Sequence, residues 1–257
     1  MKKGLSLAII QPHLHWEQPE ANLSYFNDQI ALLGGQADLV ILPETFSTGF
    51  TMNVAQYADR EERVVNWMKE RASAYGHYLA GSCIVKEDNH YYNRLYVVSP
   101  GGDSEHYDKR HLFRMGREQT FFSPGNRRVI TKIGDFNVLL QICYDLRFPV
   151  FARNRGDYEA ILYVANWPSA RKKAWETLLE ARAIENQAYV IAANCTGTDG
   201  IGVENCGGSR VIDPKGQIKT RLYEEPGILK TIIDPEEVQS FRRSFPAQED
   251  ADHFTLL

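Results

Sequence analysis

Short apolar runs alternate with helical patterns along the whole of this 257-residue chain. Residues 5–10, 39–42, 78–85, 91–99, 136–143, 160–165, 189–193, 208–212 and 227–233 are rich in Val, Ile, Leu and Tyr and lie between turn-forming residues, which predicts strands. A further strand begins at 104–107, and the link at 86–90 suits a hairpin. Apolar residues at helical spacing predict helices over 20–33, 59–75, 147–155 and 169–187. Gly34-Gly35 and Gly76 supply stops for the first two. Residues 108–127 have no clean period, are rich in Arg, Phe and Gly, and exceed the usual loop length, as functional loops do. Residues 234–257 read as a polar arm. No repeat or low-complexity linker divides the chain, so the expectation is one α/β (α+β) domain over 1–257 with helices covering sheet faces.

Composition narrows the partners. Hydrophobic residues are 43% and charged residues 24%, which fits a globular protein. A net charge of -4 argues against a nucleic acid or an anionic membrane as partner. Lys2 and Lys3 precede an apolar run, but Gln11-Pro12-His13 ends it too soon for a signal peptide. No apolar stretch approaches the roughly eighteen residues of a membrane span. The expectation is a cytoplasmic protein. Cys83, Cys143, Cys195 and Cys206 form no CxxC pair and have no His at zinc spacing, so they read as free thiols.

Three predicted strands run into a reactive residue. Leu39-Val40-Ile41-Leu42 leads through Pro43 to Glu44, Tyr107-Asp108 leads to Lys109, and Val138-Leu139-Leu140-Gln141-Ile142 leads to Cys143. Ligand sites in α/β folds gather at the carboxyl ends of strands. If these strands are neighbours, a carboxylate, an ammonium and a thiol converge on one rim. The carboxylate would take the proton of the attacking thiol. The ammonium would favour the thiolate and stabilise an oxyanion, with the N–H of Tyr144 as a second donor. Taken singly, each residue has an ordinary reading: a loop carboxylate, an exposed charge cluster, a core thiol.

These segments resemble the signature blocks of the nitrilase superfamily, the carbon–nitrogen hydrolases. The blocks are Leu42-Pro43-Glu44-Thr45-Phe46-Ser47-Thr48-Gly49-Phe50, Tyr107-Asp108-Lys109-Arg110-His111-Leu112-Phe113 and Gln141-Ile142-Cys143-Tyr144-Asp145-Leu146-Arg147-Phe148-Pro149, in the family's order. Ala8-Ile9-Ile10-Gln11-Pro12 and Ala181-Arg182-Ala183-Ile184-Glu185-Asn186-Gln187 agree with flanking blocks. The resemblance implies Glu44 as general base, Lys109 as oxyanion stabiliser and Cys143 as nucleophile, with Glu118 at the position of a second glutamate that orients Lys109 or the attacking groups. It also implies a four-layer αββα sandwich, a homodimer joined through sheet-capping helices, and no metal or organic cofactor.

The Cys143-Tyr144-Asp145-Leu146-Arg147-Phe148 string resembles the omega-amidase branch. That branch hydrolyses the terminal amide of keto-amides such as 2-oxoglutaramate and 2-oxosuccinamate. Such a substrate keeps one carboxylate, so its pocket needs a fixed cation. Arg147 and Arg171 are the candidates, since a guanidinium binds carboxylate in bidentate fashion. The alternative for Arg147 is a pair with Asp145. Phe46, Phe113 and Trp167 are candidate pocket walls. Rival readings are another nitrilase branch, acting on N-carbamoyl amines, simple amides, deaminated glutathione or nitriles, and a non-catalytic scaffold on the same fold.

Overall fold

The computed structural model describes residues 4–58, 61–252 and 254–255; Lys2, Lys3 and the expected helix start at Asp59 lie outside them. Strand β1 (Leu5–Gln11) shows why the fold is layered. Leu5, Leu7 and Ile9 belong to one apolar cluster, and Ala8 and Ile10 to another. Alternate strand residues face opposite sides, so β1 is buried on both. That is why it reads as an unbroken apolar run rather than an alternating one.

The next strands are β2 (Leu39–Ile41), β3 (Tyr78–Glu87), β4 (His90–Val98), β5 (Ser104–Asp108), β6 (Ile130–Ile133) and β7 (Phe136–Ile142). They are followed by β8 (Ala160–Val164), β9 (Tyr189–Ala193), β10 (Thr196–Thr198), β11 (Glu204–Cys206), β12 (Arg210–Ile212), β13 (Ile218–Arg221) and β14 (Gly227–Ile233). One six-stranded sheet has the order β14-β1-β2-β3-β4-β5, and the other β13-β12-β9-β8-β7-β6. Each has three parallel strands at its centre, β1-β2-β3 and β7-β8-β9, with antiparallel strands outside. β10 and β11 form a separate hairpin.

Helices close the outer faces. Phe26 and Ile30 of α1 (Pro19–Leu33) and Met68 and Ala72 of α3 (Glu61–Tyr75) pack on Ala8, Val40 and Leu42 of the first sheet. Trp175, Leu179 and Ala183 of α6 (Lys172–Asn186) pack on the second. The inner sheet faces share the larger cluster, through Leu7, Ile41, Leu95, Leu140 and Leu162 among others. The expected four-layer αββα sandwich is the observed one. Short helices α2 (Val54–Ala58), α4 (Glu118–Phe121) and α5 (Pro149–Ala152) lie in the connections.

Two expectations are corrected. The helix predicted over 147–155 is a 3-10 turn, Cys143–Arg147, followed by the single turn of α5, because Pro149 restarts the chain at that helix's first turn. The polar arm contains α7 (Pro235–Ser244). Asp234 caps it by accepting from the Glu236 N–H at 2.9 Å, with Pro235 at the first turn and arginines at the last. Val238 is fully buried, and Arg242 donates to the carbonyls of Tyr158 (2.8 Å) and Gln187 (3.1 Å). The helix signals were present in the polar sequence, but its low apolar content concealed them.

His77, between α3 and β3, is buried, and neither ring nitrogen has a partner. Burial pushes its pKa down to about 4. The unfolded chain takes up this proton near pH 6.5 and the folded chain only near 4, so stability falls as pH drops through that window. Urea unfolding of wild type should lose about 2 kcal/mol more than His77→Phe between pH 6.5 and 4, after allowance for solvent screening. Parallel losses would remove His77 as the cause.

Candidate active site

Four strand ends supply the site. After β2 the chain passes Leu42 and Pro43 to Glu44; after β5 comes Lys109, after β7 Cys143, and two residues after β8 Asn166. The Glu, Lys and Cys strands are not neighbours, the condition under which the sequence reading brought their ends together. β3 and β4 separate β2 from β5, and β7 belongs to the other sheet. The residues meet across the cleft between the sheets.

At that meeting point Lys109 Nζ donates to Glu44 Oε1 at 2.8 Å and to Glu118 Oε1 at 3.0 Å, with all three residues at 0–1% exposure. Asn93 Nδ2 also donates to Glu44 Oε1 (2.8 Å), and the Asn166 N–H to Glu44 Oε2 (2.8 Å). Glu118 Oε2 accepts the Phe113 N–H at 2.5 Å, which folds the 109–118 segment back on itself. Burial works against the Lys109 charge, but Glu118 and Glu44 outweigh it and hold its pKa above the ordinary lysine value. Lys109 is therefore a fixed ammonium. Burial, helped by Glu44, lifts the Glu118 carboxyl above its usual range against the pull of Lys109.

Cys143 follows β7 with φ 44°, a left-handed conformation that costs a side-chain-bearing residue roughly 1–2 kcal/mol. Asp145 holds this turn. Its fully buried carboxylate accepts from Tyr107 Oη (2.8 Å), the Ile142 N–H (2.9 Å), the His111 N–H (3.0 Å) and His111 Nδ1 (2.7 Å). Asp145 thus ties the cysteine turn to the lysine segment. Burial, reinforced by Glu44, pushes the Cys143 thiol well above its usual pKa, and Lys109 opposes this. With its pKa raised, the resting sulfur is a neutral thiol. Tyr144 N–H is among the opening donors of the 3-10 turn, which have no partner within it.

A cavity of about 470 Å³ opens onto Glu44, Lys109 and Cys143. One wall carries Tyr144, Phe113, Trp167 and the two arginines. Arg147 lies 5.4 Å over the Trp167 ring and Arg171 5.3 Å over the Phe113 ring. Neither forms an ion pair with a described carboxylate, and the alternative of an Arg147–Asp145 pair is excluded by Asp145's other partners. The lining also includes Trp16, Phe50, Met52 and the hairpin-tip residues Ile201 and Val203. Trp16 packs so tightly on Gly200 that a Cβ there would lie 2.2 Å from the indole.

Phe46 is not in this pocket, which corrects its assignment as a wall residue. It is fully buried on the helix side of the first sheet, against Phe26 and Trp67, with Gly81 leaving room for its ring. The pocket aromatic from the same block is Phe50. Sequence reading also missed Asn93, Asn166 and Asp145. Asn166 follows an apolar strand as Glu44 and Cys143 do, a signal that could have marked it. Asn93 had none beyond being polar in a strand.

The carbon–nitrogen hydrolase family model matches residues 6–243. The chain belongs to the carbon–nitrogen hydrolase family. It is 43% identical to the omega-amidase YafV of Escherichia coli K12, over 98% of this chain and 99% of that protein. It is 33% identical to the 2-oxoglutaramate amidase of Bacillus subtilis, over 95% and 96%. Within the nitrilase superfamily it thus groups with the omega-amidase branch. XC1258 of Xanthomonas campestris, a CN-hydrolase superfamily protein with an arsenic adduct in its active site, superimposes with a TM-score of 0.96 at 39% identity, over 99% of both chains. As a family member the protein is a hydrolase of carbon–nitrogen bonds other than peptide bonds.

Cys143 lines the open cavity at 9% exposure, whereas Cys83, Cys195 and Cys206 are buried at 1–2%. Iodoacetamide at pH 7 should alkylate Cys143 roughly tenfold faster than the other three, as read by peptide mass. Equal labelling would argue for a scaffold rather than an enzyme.

Proposed function

We propose that this hydrolase is an omega-amidase, converting 2-oxo dicarboxylic acid monoamides such as 2-oxoglutaramate and 2-oxosuccinamate to the 2-oxo acid and ammonia. The observation that carries this reading is the pair of guanidiniums, Arg147 and Arg171, without a carboxylate partner among the described residues and in the same cavity as Cys143. A guanidinium offers bidentate geometry matched to a carboxylate. It would hold the acid end of the substrate while the amide end meets the thiol. The similarity to omega-amidases supports the same choice.

Cys143 attacks the amide carbonyl as Glu44 takes the thiol proton, which a thiol of raised pKa requires at the moment of attack. Lys109 Nζ and the Tyr144 N–H stabilise the oxyanion, such donors being worth roughly 3–4 kcal/mol each. The carbon–nitrogen bond breaks, Glu44 returns the proton to the leaving nitrogen, and ammonia departs. Water then attacks the thioester with Glu44 as base, releasing the acid and restoring the thiol. Glu118 keeps Lys109 aimed at the reacting centre. The protein's own groups account for every proton in this sequence, so it calls for no cofactor.

The setting we infer is a cytoplasmic homodimer. Among the described residues no helix is long and apolar enough to cross a membrane. Exposed Val150 and Ile184 lie on the outer helices through which a partner copy would dock.

Cys143→Ala should abolish ammonia release from 2-oxoglutaramate while the fold persists by circular dichroism; turnover near wild type would sink the mechanism. Arg147→Gln and Arg171→Gln should each raise KM for 2-oxoglutaramate roughly tenfold or more, the cost of one charged contact. KM for an uncharged amide such as butyramide should hardly move. Equal kcat/KM for charged and uncharged amides in wild type would instead favour a simple amidase.

A further inference from the structure

Cys195 is a second buried thiol beside the site, and the mechanism above does not use it. It lies two residues after β9, at the same sheet edge as Asn166, and its Sγ donates to Asn166 Oδ1 at 2.8 Å. The rest of Asn166 is committed to the Glu44 segment. Its N–H reaches Glu44 Oε2 (2.8 Å), and its Nδ2 reaches the Glu44 carbonyl oxygen (2.7 Å) and Thr45 Oγ1 (3.0 Å). A backbone carbonyl can only accept, so the amide NH2 must face it and Oδ1 must face the thiol. Rotating the amide by half a turn would set oxygen against oxygen.

Two further observations show that something must hold this segment. Thr45, directly after Glu44, has φ 42°, a left-handed conformation that a β-branched residue keeps only under constraint. Glu44 comes from one sheet and Asn166 from the other, so their contact also sets the spacing of base and nucleophile across the cleft. Burial raises the Cys195 pKa well above the ordinary thiol value, so the group stays a neutral donor and does not compete as a nucleophile.

We infer that Cys195 and Asn166 are positioning residues: the thiol fixes the Asn166 amide, and Asn166 in turn fixes the Glu44 carboxylate so that it can take the proton of Cys143. The proposal rests on Glu44 being the base. It does not depend on which amide is the substrate.

In Cys195→Ala, kcat should fall roughly five- to tenfold, the effect of one lost hydrogen bond, with KM within about twofold of wild type. Cys195→Ser, which keeps a donor, should recover most of the loss. In an Asn166→Ala background, Cys195→Ala should make no further difference, because the thiol then has nothing to orient. Alkylation of Cys143 by iodoacetamide at pH 7 needs the same proton transfer and no amide, so its rate should fall with kcat in Cys195→Ala. A wild-type kcat and alkylation rate in Cys195→Ala would overturn the proposal. So would equal losses in the Ala and Ser variants, or additive losses in the double variant. Failure of the omega-amidase reading would look different, as wild type that alkylates at Cys143 but releases no ammonia from 2-oxoglutaramate.

Discussion

The structure turns on a buried charge cluster in which one ammonium, Lys109, is shared between two carboxylates, Glu44 and Glu118. Taking these groups out of water is expensive, and only close, well-bonded geometry repays it. Removing Lys109 would leave two carboxylates facing each other in the interior, typically a loss of about 3–5 kcal/mol. The surroundings exist to satisfy this cluster. Asn93 and the Asn166 N–H bond the remaining face of Glu44, and the Phe113 N–H bonds Glu118. The same satisfaction leaves Glu44 rigidly aimed, which is what a base needs.

The cysteine turn depends on a third buried carboxylate. Asp145 collects four hydrogen bonds from β5, the lysine segment and the end of β7, and so holds Cys143 in a backbone conformation it would otherwise leave. The three carboxylates divide the labour. Glu44 and Glu118 fix the first sheet's contribution, Asp145 fixes the second's, and Asn166 bridges them. Catalytic geometry here is a property of the contact between sheets, more than of either sheet alone.

The cavity joins two kinds of recognition. Its cationic wall, where guanidiniums lie on aromatic faces, suits a carboxylate. Its lining also includes the apolar side chains of Trp16, Phe50, Met52, Ile201 and Val203. Ile201 is 72% exposed and Met115 75%, so apolar side chains stand at the mouth beside the exposed Arg147.

By itself the sequence determined the apolar strand runs, the three longest helices and the residues with chemistry in them. These are local signals: strands that end in Glu44, Lys109 or Cys143 can be read from a few adjacent letters. Ordered blocks then identified the family. Tertiary structure decided which face each residue shows. Phe46 and Phe50 lie in one block, yet one is core beneath the helices and the other lines the cavity. Strand parity says that neighbours face opposite ways, but not which side becomes the cleft. Asn93, Asp145 and Asn166 gained their roles from Glu44, Tyr107 and His111, partners 34 to 122 residues away, as polar groups that burial obliges to find a bond. The α7 helix was hidden for the same reason, since its anchors are carbonyls of the distant Tyr158 and Gln187. Local spacing carries no information about such partners; only the packing of the two sheets supplies it.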